Sequence, residues 1–393
     1  MSRDRAALRD FYSRLLFDGI LPFWFEHGVD RELGGVMSCM TEEGDRTSTD
    51  KYLWSQGRWL WLCARIHNRL GARPEMLESA RKTAEFLLRH GRDPEGRWYF
   101  AVSREGEPRV GPVSVFSDCF AIYGLGEYYR AVQDPAAIEA AIAAFRRVRA
   151  RVDEPGFTEV APDAAIPGRR RHSVPMILLE VANELAQTTG EREFEEAADE
   201  AADRILRHHV SPELGVVLEY LDWDYRPLPP GEGTAVEPGH AIESMWFLMH
   251  WARRRDRRDL IARAAEVMRW HIEKGWDPEF GGLFLGIDAL GGEPYVKNAT
   301  KKVWWPHTEA LYGLILTSEL LEVPWAEEWY QRIHDWSFSH FPLREGGEWR
   351  QRLDREGRPV SDLIALPVKD PFHLARAVIL ILEVLAGPGT NRT

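Results

Sequence analysis

Cysteine is scarce in this chain: Cys39, Cys63 and Cys119 are the only three in 393 residues. They are too few and too scattered for a disulfide framework or a cysteine zinc site, and reduced thiols are expected. Positive charge is also short. Fifty Lys and Arg against 62 Asp and Glu leave a net charge of −12, which excludes nucleic acid as the expected partner, because phosphate binding needs a basic surface. No apolar run reaches the roughly 20 residues that span a bilayer, so no membrane role is expected. The N-terminal segment MSRDRAALRDFYSRLL carries acids and bases in an amphipathic pattern and lacks the apolar stretch of a signal peptide, so a cytoplasmic location is expected. Walker A, GxGxxG, HExxH and GxSxG patterns are all missing. The histidines show no third ligand near the pair His240 and Glu243, and no metal is expected.

Tryptophan, by contrast, is abundant, with 16 residues. Several (Trp54, Trp59, Trp61, Trp246, Trp304, Trp305) flank polar residues that recur roughly every 65 residues. Such tryptophans either fill a helical core or stack on flat sugar faces. The recurring points are Arg58, Asp118, His172, His240, His307 with Glu309, and His373. A period of this length marks a stacked or closed array of one supersecondary unit.

Hairpin-like stretches with acidic-glycine turns occupy 30–46, 93–109, 212–227, 277–294 and 345–360. The sixth, 153–171, is Pro-rich, ends in three arginines and is expected to be a mobile loop. Charged amphipathic patterns such as 75–91 and 192–210 alternate with patterns apolar on nearly all sides at 116–132, 174–186, 240–252 and 373–386. A helix that is hydrophobic all round is buried. Six charged outer helices alternating with six apolar inner ones describe an all-α (α/α)6 barrel with short β-hairpins at its connections. The alternative is an open α-solenoid. No Pro/Ser-rich linker divides the chain, so residues 1–393 are read as one domain.

Pro175, Pro238-Gly239, Pro306 and Asp370-Pro371 mark helix starts, so closure of the ring gathers several helix N-termini, with their partial positive charge, around one mouth. Two histidines each have a charged partner three residues on, which places it on the same helical face. Glu243 is positioned to accept a hydrogen bond from His240 and favour its protonated form, whereas Arg376 disfavours a charged His373. One acid-biased and one base-biased histidine suit proton transfer beside a carbonyl. Arg58, inside an aromatic helix, is either salt-bridged or aimed into the pocket, where it would stabilise an oxyanion. Glu309 would bind sugar hydroxyls or pair with Arg58. Asp118 reads as a helix-start carboxylate.

At EPGHAIESMWF, VFSDCF, KVWWPHTEAL and PFHLARA the chain resembles the N-acylglucosamine 2-epimerase superfamily over essentially its whole length. That superfamily includes cellobiose 2-epimerases and mannose-type aldose–ketose isomerases, and the resemblance is nearest to the N-acylglucosamine branch. It implies a cofactor-independent isomerase in which His240 and His373 act as acid and base at sugar C2, Arg58 faces the substrate and Glu243 supports His240. Glu309 and Arg376 then line the pocket, with His172, Met176, Trp304, Trp305, His307 and Asp118 as further substrate-binding candidates. The implied partner is a small-molecule sugar, and a homodimer is a family expectation. Some N-acylglucosamine epimerases are activated by ATP at a separate site, which no segment here locates. Rival expectations are a glycoside hydrolase using Glu243 and Glu309 and a non-catalytic sugar-binding toroid.

Overall fold

A computed structural model describes residues 5–162, 166–343, 347–361, 363–365 and 369–387. The first outer helix comprises α1 (Arg5–Arg14), a π-helical turn (Leu15–Ile20) and α2 (Leu21–His27). The outer layer continues with α4 (Pro74–His90), α6 (Pro135–Val152), α8 (Arg192–Arg204), α10 (Arg258–Gly275) and α12 (Pro324–His340). Between them run the inner helices α3 (Leu53–Arg69), α5 (Val115–Val132), α7 (Ser173–Thr189), α9 (Pro238–Arg254), α11 (Trp304–Leu321) and α13 (Phe372–Ala386). Each inner helix packs on the next, and α13 packs on α3, which closes the ring. The sequence-based (α/α)6 barrel is the observed architecture, and the open solenoid is excluded.

Five of the six outer helices run into the expected tight turns, closed by antiparallel pairings at Val29–Val36, Arg92–Trp98, Val210–Val217, Trp276–Leu283 and Pro342–Trp349. The stretch 153–171 lacks such a pairing. Residues 163–165 of that expected mobile loop lie outside the described residues, and its flanks are tied down. Ser114 pairs with Val160, and Arg169–Arg171 forms a short ladder with Tyr220–Asp222.

That ladder sits directly before α7, and similar ones sit before α3, α9 and α11, joining Lys51–Tyr52 to Ala101–Val102, Ala235–Val236 to Ile287–Asp288, and Lys302–Val303 to Arg352–Leu353. These staples hold the inner-helix N-termini at one end of the barrel. Two are reinforced by matching buried ion pairs. Lys51 lies 3.1 Å from Asp30 and Lys302 3.0 Å from Asp277, with Arg104 and Arg355 on the same carboxylates at 2.8 and 2.9 Å. Burial opposes ionisation of both aspartates, yet their hydrogen bonds and lysine partners bring each down to about 2. All three cysteines are buried and unpaired. No described helix is long and apolar enough to cross a membrane.

The α3–α5 contact depends on two glycines. A Cβ on Gly57 would meet the Phe120 carbonyl oxygen at 2.2 Å, and one on Gly124 would meet the Gly57 oxygen at 2.3 Å. Backbone, unlike a flexible side chain, has nowhere to move. Gly57→Ala and Gly124→Ala are each expected to destabilise the fold by about 1–3 kcal/mol, as overpacking does, read as a fall in the denaturant midpoint with an unchanged slope.

Candidate active site

The repeat places equivalent side chains at one depth. Arg58, Glu243 and Glu309 are each the sixth residue of an inner helix, and Arg376 is the fifth of α13. The Arg376 guanidinium lies 2.8 Å from Glu309 Oε1 and also bonds Glu243 Oε1. Burial works against its charge, but Glu309 and Glu243 hold its pKa well above the usual arginine range. Trp246 Nε1 donates to the other Glu309 oxygen at 3.0 Å. Arg58 is both salt-bridged and near the reacting groups. Its Nη1 is 3.2 Å from Asp370 Oδ2, its guanidinium lies 3.9 Å over the Phe120 ring, and its charge helps depress His373. Ser55 Oγ donates to Asp370 Oδ2 at 2.7 Å, and the Phe372 N–H donates to Oδ1 at 3.0 Å.

The two histidines flank one indole. Trp305 lies 5.1 Å from the His240 ring and 5.8 Å from the His373 ring, centroid to centroid. It fits against α9 because a Cβ at position 239 would fall 2.4 Å from the Trp305 ring, so only Gly239 leaves it room. His373 Nδ1 meets Glu309 Oε1 at 2.8 Å, which assigns the proton to Nδ1 and leaves Nε2 as a lone-pair acceptor. Burial, then Arg58 and Arg376, push its pKa well below the ordinary value. His240 is the opposite case. Burial would lower its pKa, but Glu237 and Glu219, each 3.2 Å from Nδ1, carry it up to about 10. Among the described residues no hydrogen bond reaches Nε2 of either ring, and neither atom is fully buried.

The partners differ from those expected in sequence. Glu243 pairs with Arg376 and not with His240. Glu237 and Glu219 hold His240 instead, because the helix start turns Nδ1 outward toward the preceding loop. Glu309 pairs with Arg376 and His373, while Arg58 takes Asp370. Asp118, far from being a free pocket carboxylate, is 3.1 Å from Arg151 of the adjoining outer helix, and burial raises it to about 7. His307 has both ring nitrogens occupied. Nδ1 donates to the Val303 carbonyl at 2.7 Å and Nε2 accepts from Leu283 N–H at 2.8 Å, so it fastens a hairpin; burial pushes it down to about 3. His172 is buried behind Glu219, with Nδ1 3.8 Å from it. Met176 is a buried residue near the start of α7, and Trp304 meets His373 edge-on at 6.0 Å. Of the other suspected tryptophans, Trp59 donates to Ser79 and Trp61 stacks on Tyr123, both in the core.

Sequence reading missed Glu219 and Glu237 as partners of His240, Asp370 as the partner of Arg58, and the bond from Trp246 to Glu309. Glu237 sits three residues before His240 and was legible by spacing. Glu219 is 21 residues away across a hairpin and left no such signal.

Two trios, Glu219–Glu237–His240 and Glu243–Glu309–His373, have ligand atoms within 4.8 Å of one another, a spacing that a cation could use. In each, a guanidinium already fills the cationic role. Arg171 lies 3.5 Å from Glu219 and 3.7 Å from Glu237, and Arg376 bridges the second pair.

A closed ring of six helix pairs, with two histidines and a buried ionic cluster at its stapled mouth, defines an (α/α)6 barrel with one charged, indole-lined site. The sequence pattern of N-acylglucosamine 2-epimerase (GlcNAc 2-epimerase) matches residues 34–377, and the chain belongs to that family. It is 30% identical over 396 residues to N-acylglucosamine 2-epimerase of Bos taurus, covering 98% of this chain and 93% of that protein. Mannose-6-phosphate isomerase of Rhizobium meliloti (strain 1021) is 25% identical over 381 residues, 94% of this chain and 95% of that protein. The solved cellobiose 2-epimerase from Bacillus thermoamylovorans B4167 superposes with a TM-score of 0.84 at 20% identity, over 96% of this chain and 100% of that one. The chain is an isomerase-class enzyme.

Folding raises the His240 imidazole from 6.5 to about 10, so its stabilising contribution is complete below pH 6.5 and is lost as pH climbs through about 10. The stability difference between the wild type and His240→Asn is therefore expected to shrink steadily between those limits in denaturant titrations. A difference independent of pH contradicts this.

Proposed function

We propose that this enzyme inverts C2 of an aldose, with N-acyl-D-glucosamine and N-acyl-D-mannosamine as the preferred pair. The observation that carries the reading is the placement of two histidines against one indole, one facing two carboxylates and the other between Glu309 and Arg376. The open-chain sugar lies against Trp305 with C2 between the imidazoles. Neutral His373 takes the C2 proton through Nε2, and the electron pair moves into an enolate whose charge on O1 is met by Arg58. Protonated His240 then delivers a proton to the opposite face of C2. A proton beside an aldehyde is weakly acidic, so a fixed base and an oxyanion partner are both needed. Arg376 and Glu309 hold His373 in its Nδ1–H tautomer. No metal or organic cofactor enters this chemistry, and the proposed setting is cytoplasmic.

An aldose–ketose isomerase uses the same intermediate and returns the proton to C1, a reading favoured by the mannose-6-phosphate isomerase relative. A hydrolase is disfavoured by charge. Glu243 and Glu309 converge on one guanidinium nitrogen, leaving no room for a glycosidic bond between them.

In heavy water the wild type is expected to place deuterium at C2 of N-acetylmannosamine, mannose or cellobiose, whichever it turns over. Mass spectrometry of product from His240→Asn and His373→Asn should show at least a hundredfold slower uptake, the usual scale of a lost acid or base. Unimpaired exchange in both variants sinks the assignment.

A further inference from the structure

His240 is surrounded by charged groups from several elements. Glu237 immediately precedes the helix that carries His240. Glu219 comes from the strand segment that precedes the Tyr220–Asp222 ladder. Arg171 ends the Arg169–Arg171 strand, and His172 stands at the start of α7. The two carboxylates present their Oε2 atoms to Nδ1 at 3.2 Å each, and Arg171 stands 3.5 and 3.7 Å from their Oε1 atoms. Two carboxylates therefore face one imidazole nitrogen. Burial pushes the pKa of His172 below the ordinary histidine value.

At His373 the near side is shared. Glu309 Oε1 touches Nδ1 at 2.8 Å but is also 2.8 Å from Arg376, whose own Nη2 stands 3.4 Å from the same ring nitrogen. Two imidazoles on one indole therefore sit in opposite local fields, and the difference originates in Glu219 and Glu237.

We propose that Glu219 and Glu237 are positioning residues that lock a proton on His240, so that the resting enzyme has a fixed polarity, with His240 as acid and His373 as base. This rests on reading the mouth as a two-histidine proton-transfer centre. Each turnover from one epimer moves one proton from C2 to His373 and one from His240 to C2. It leaves His240 neutral and His373 charged. Before the next turnover in that direction His373 must release a proton to water and His240 must gain one. The carboxylate pair drives that reset, and it makes the opposite epimer the substrate of the enzyme's less populated proton state.

The test uses the whole enzyme labelled with ¹⁵N-histidine, with the His240 resonances assigned by comparison with His240→Asn. At pH 8 the wild-type His240 ring is expected to carry two protons. Glu219→Gln and Glu237→Gln should each lower its titration midpoint by at least one pH unit, tenfold in proton affinity. The basic limb of kcat/KM should move with it, while Glu219→Asp retains most of the wild-type midpoint. If Glu219→Gln fails to fold, Glu237→Gln at the partly exposed helix start carries the measurement. A His240 midpoint near 6.5 in the wild type, or one unmoved in both variants, overturns the proposal, as does a uniform loss of activity with no change in profile. A shifted midpoint in an enzyme that exchanges no C2 proton would support the carboxylate lock and fail the assigned reaction.

Discussion

Arg376 joins three inner helices through one side chain. It rises from α13 and takes carboxylates from α9 and α11, Glu243 and Glu309, with all three side chains buried. Removing it would strand two buried carboxylates, a loss on the scale of about 3–5 kcal/mol for breaking a buried ionic cluster. More than stability depends on it. Glu309 carries the imidazole of His373, so the orientation of that ring follows from where the guanidinium holds the carboxylate. Arg376 and Glu243 stand 133 residues apart in sequence, and the packing of the successive inner helices α9, α11 and α13 makes the cluster local.

The same ring explains how two histidines of ordinary chemistry acquire different jobs. Both stand in the first turn of an inner helix, and both touch Trp305. Helix N-termini alone would treat them alike. What separates them is the loop layer above. At α9 that layer brings Glu219 and Glu237 to the ring, and at α13 it brings Asp370, which is spent on Arg58, Ser55 and the Phe372 amide. Function is thus written in the irregular hairpin end of the barrel, while the helices supply the frame.

That division also governs what could be read from sequence. The helix alternation and the closed ring were legible, because burial of one helix face imposes a period that survives divergence between units. His240, His373, Arg58 and Glu309 stood out because the repeat carried them to matching points, and Arg376 because it follows His373 by one helical turn. Pairing was another matter. The expectation that Glu243 supports His240 followed helical spacing, which says that side chains share a face but not which neighbour outcompetes them. Arg376, arriving from another helix, did so. His307 and Asp118 also kept the period yet turned away from the mouth, to a hairpin amide and to Arg151. Periodicity fixes depth in the barrel, and rotation about each helix decides whether a side chain meets the lumen or the wall.

In the proposed chemistry two histidines of opposite resting charge work on opposite faces of one carbon. A single-turnover reaction in heavy water, stopped early with enzyme in excess, tests it most directly. The account predicts one deuterium at C2 of the product, delivered by His240, with unreacted sugar still carrying its original hydrogen because His373 returns the proton it took. Equal labelling of substrate and product from the first time point would mean that one base serves both faces, and would contradict it.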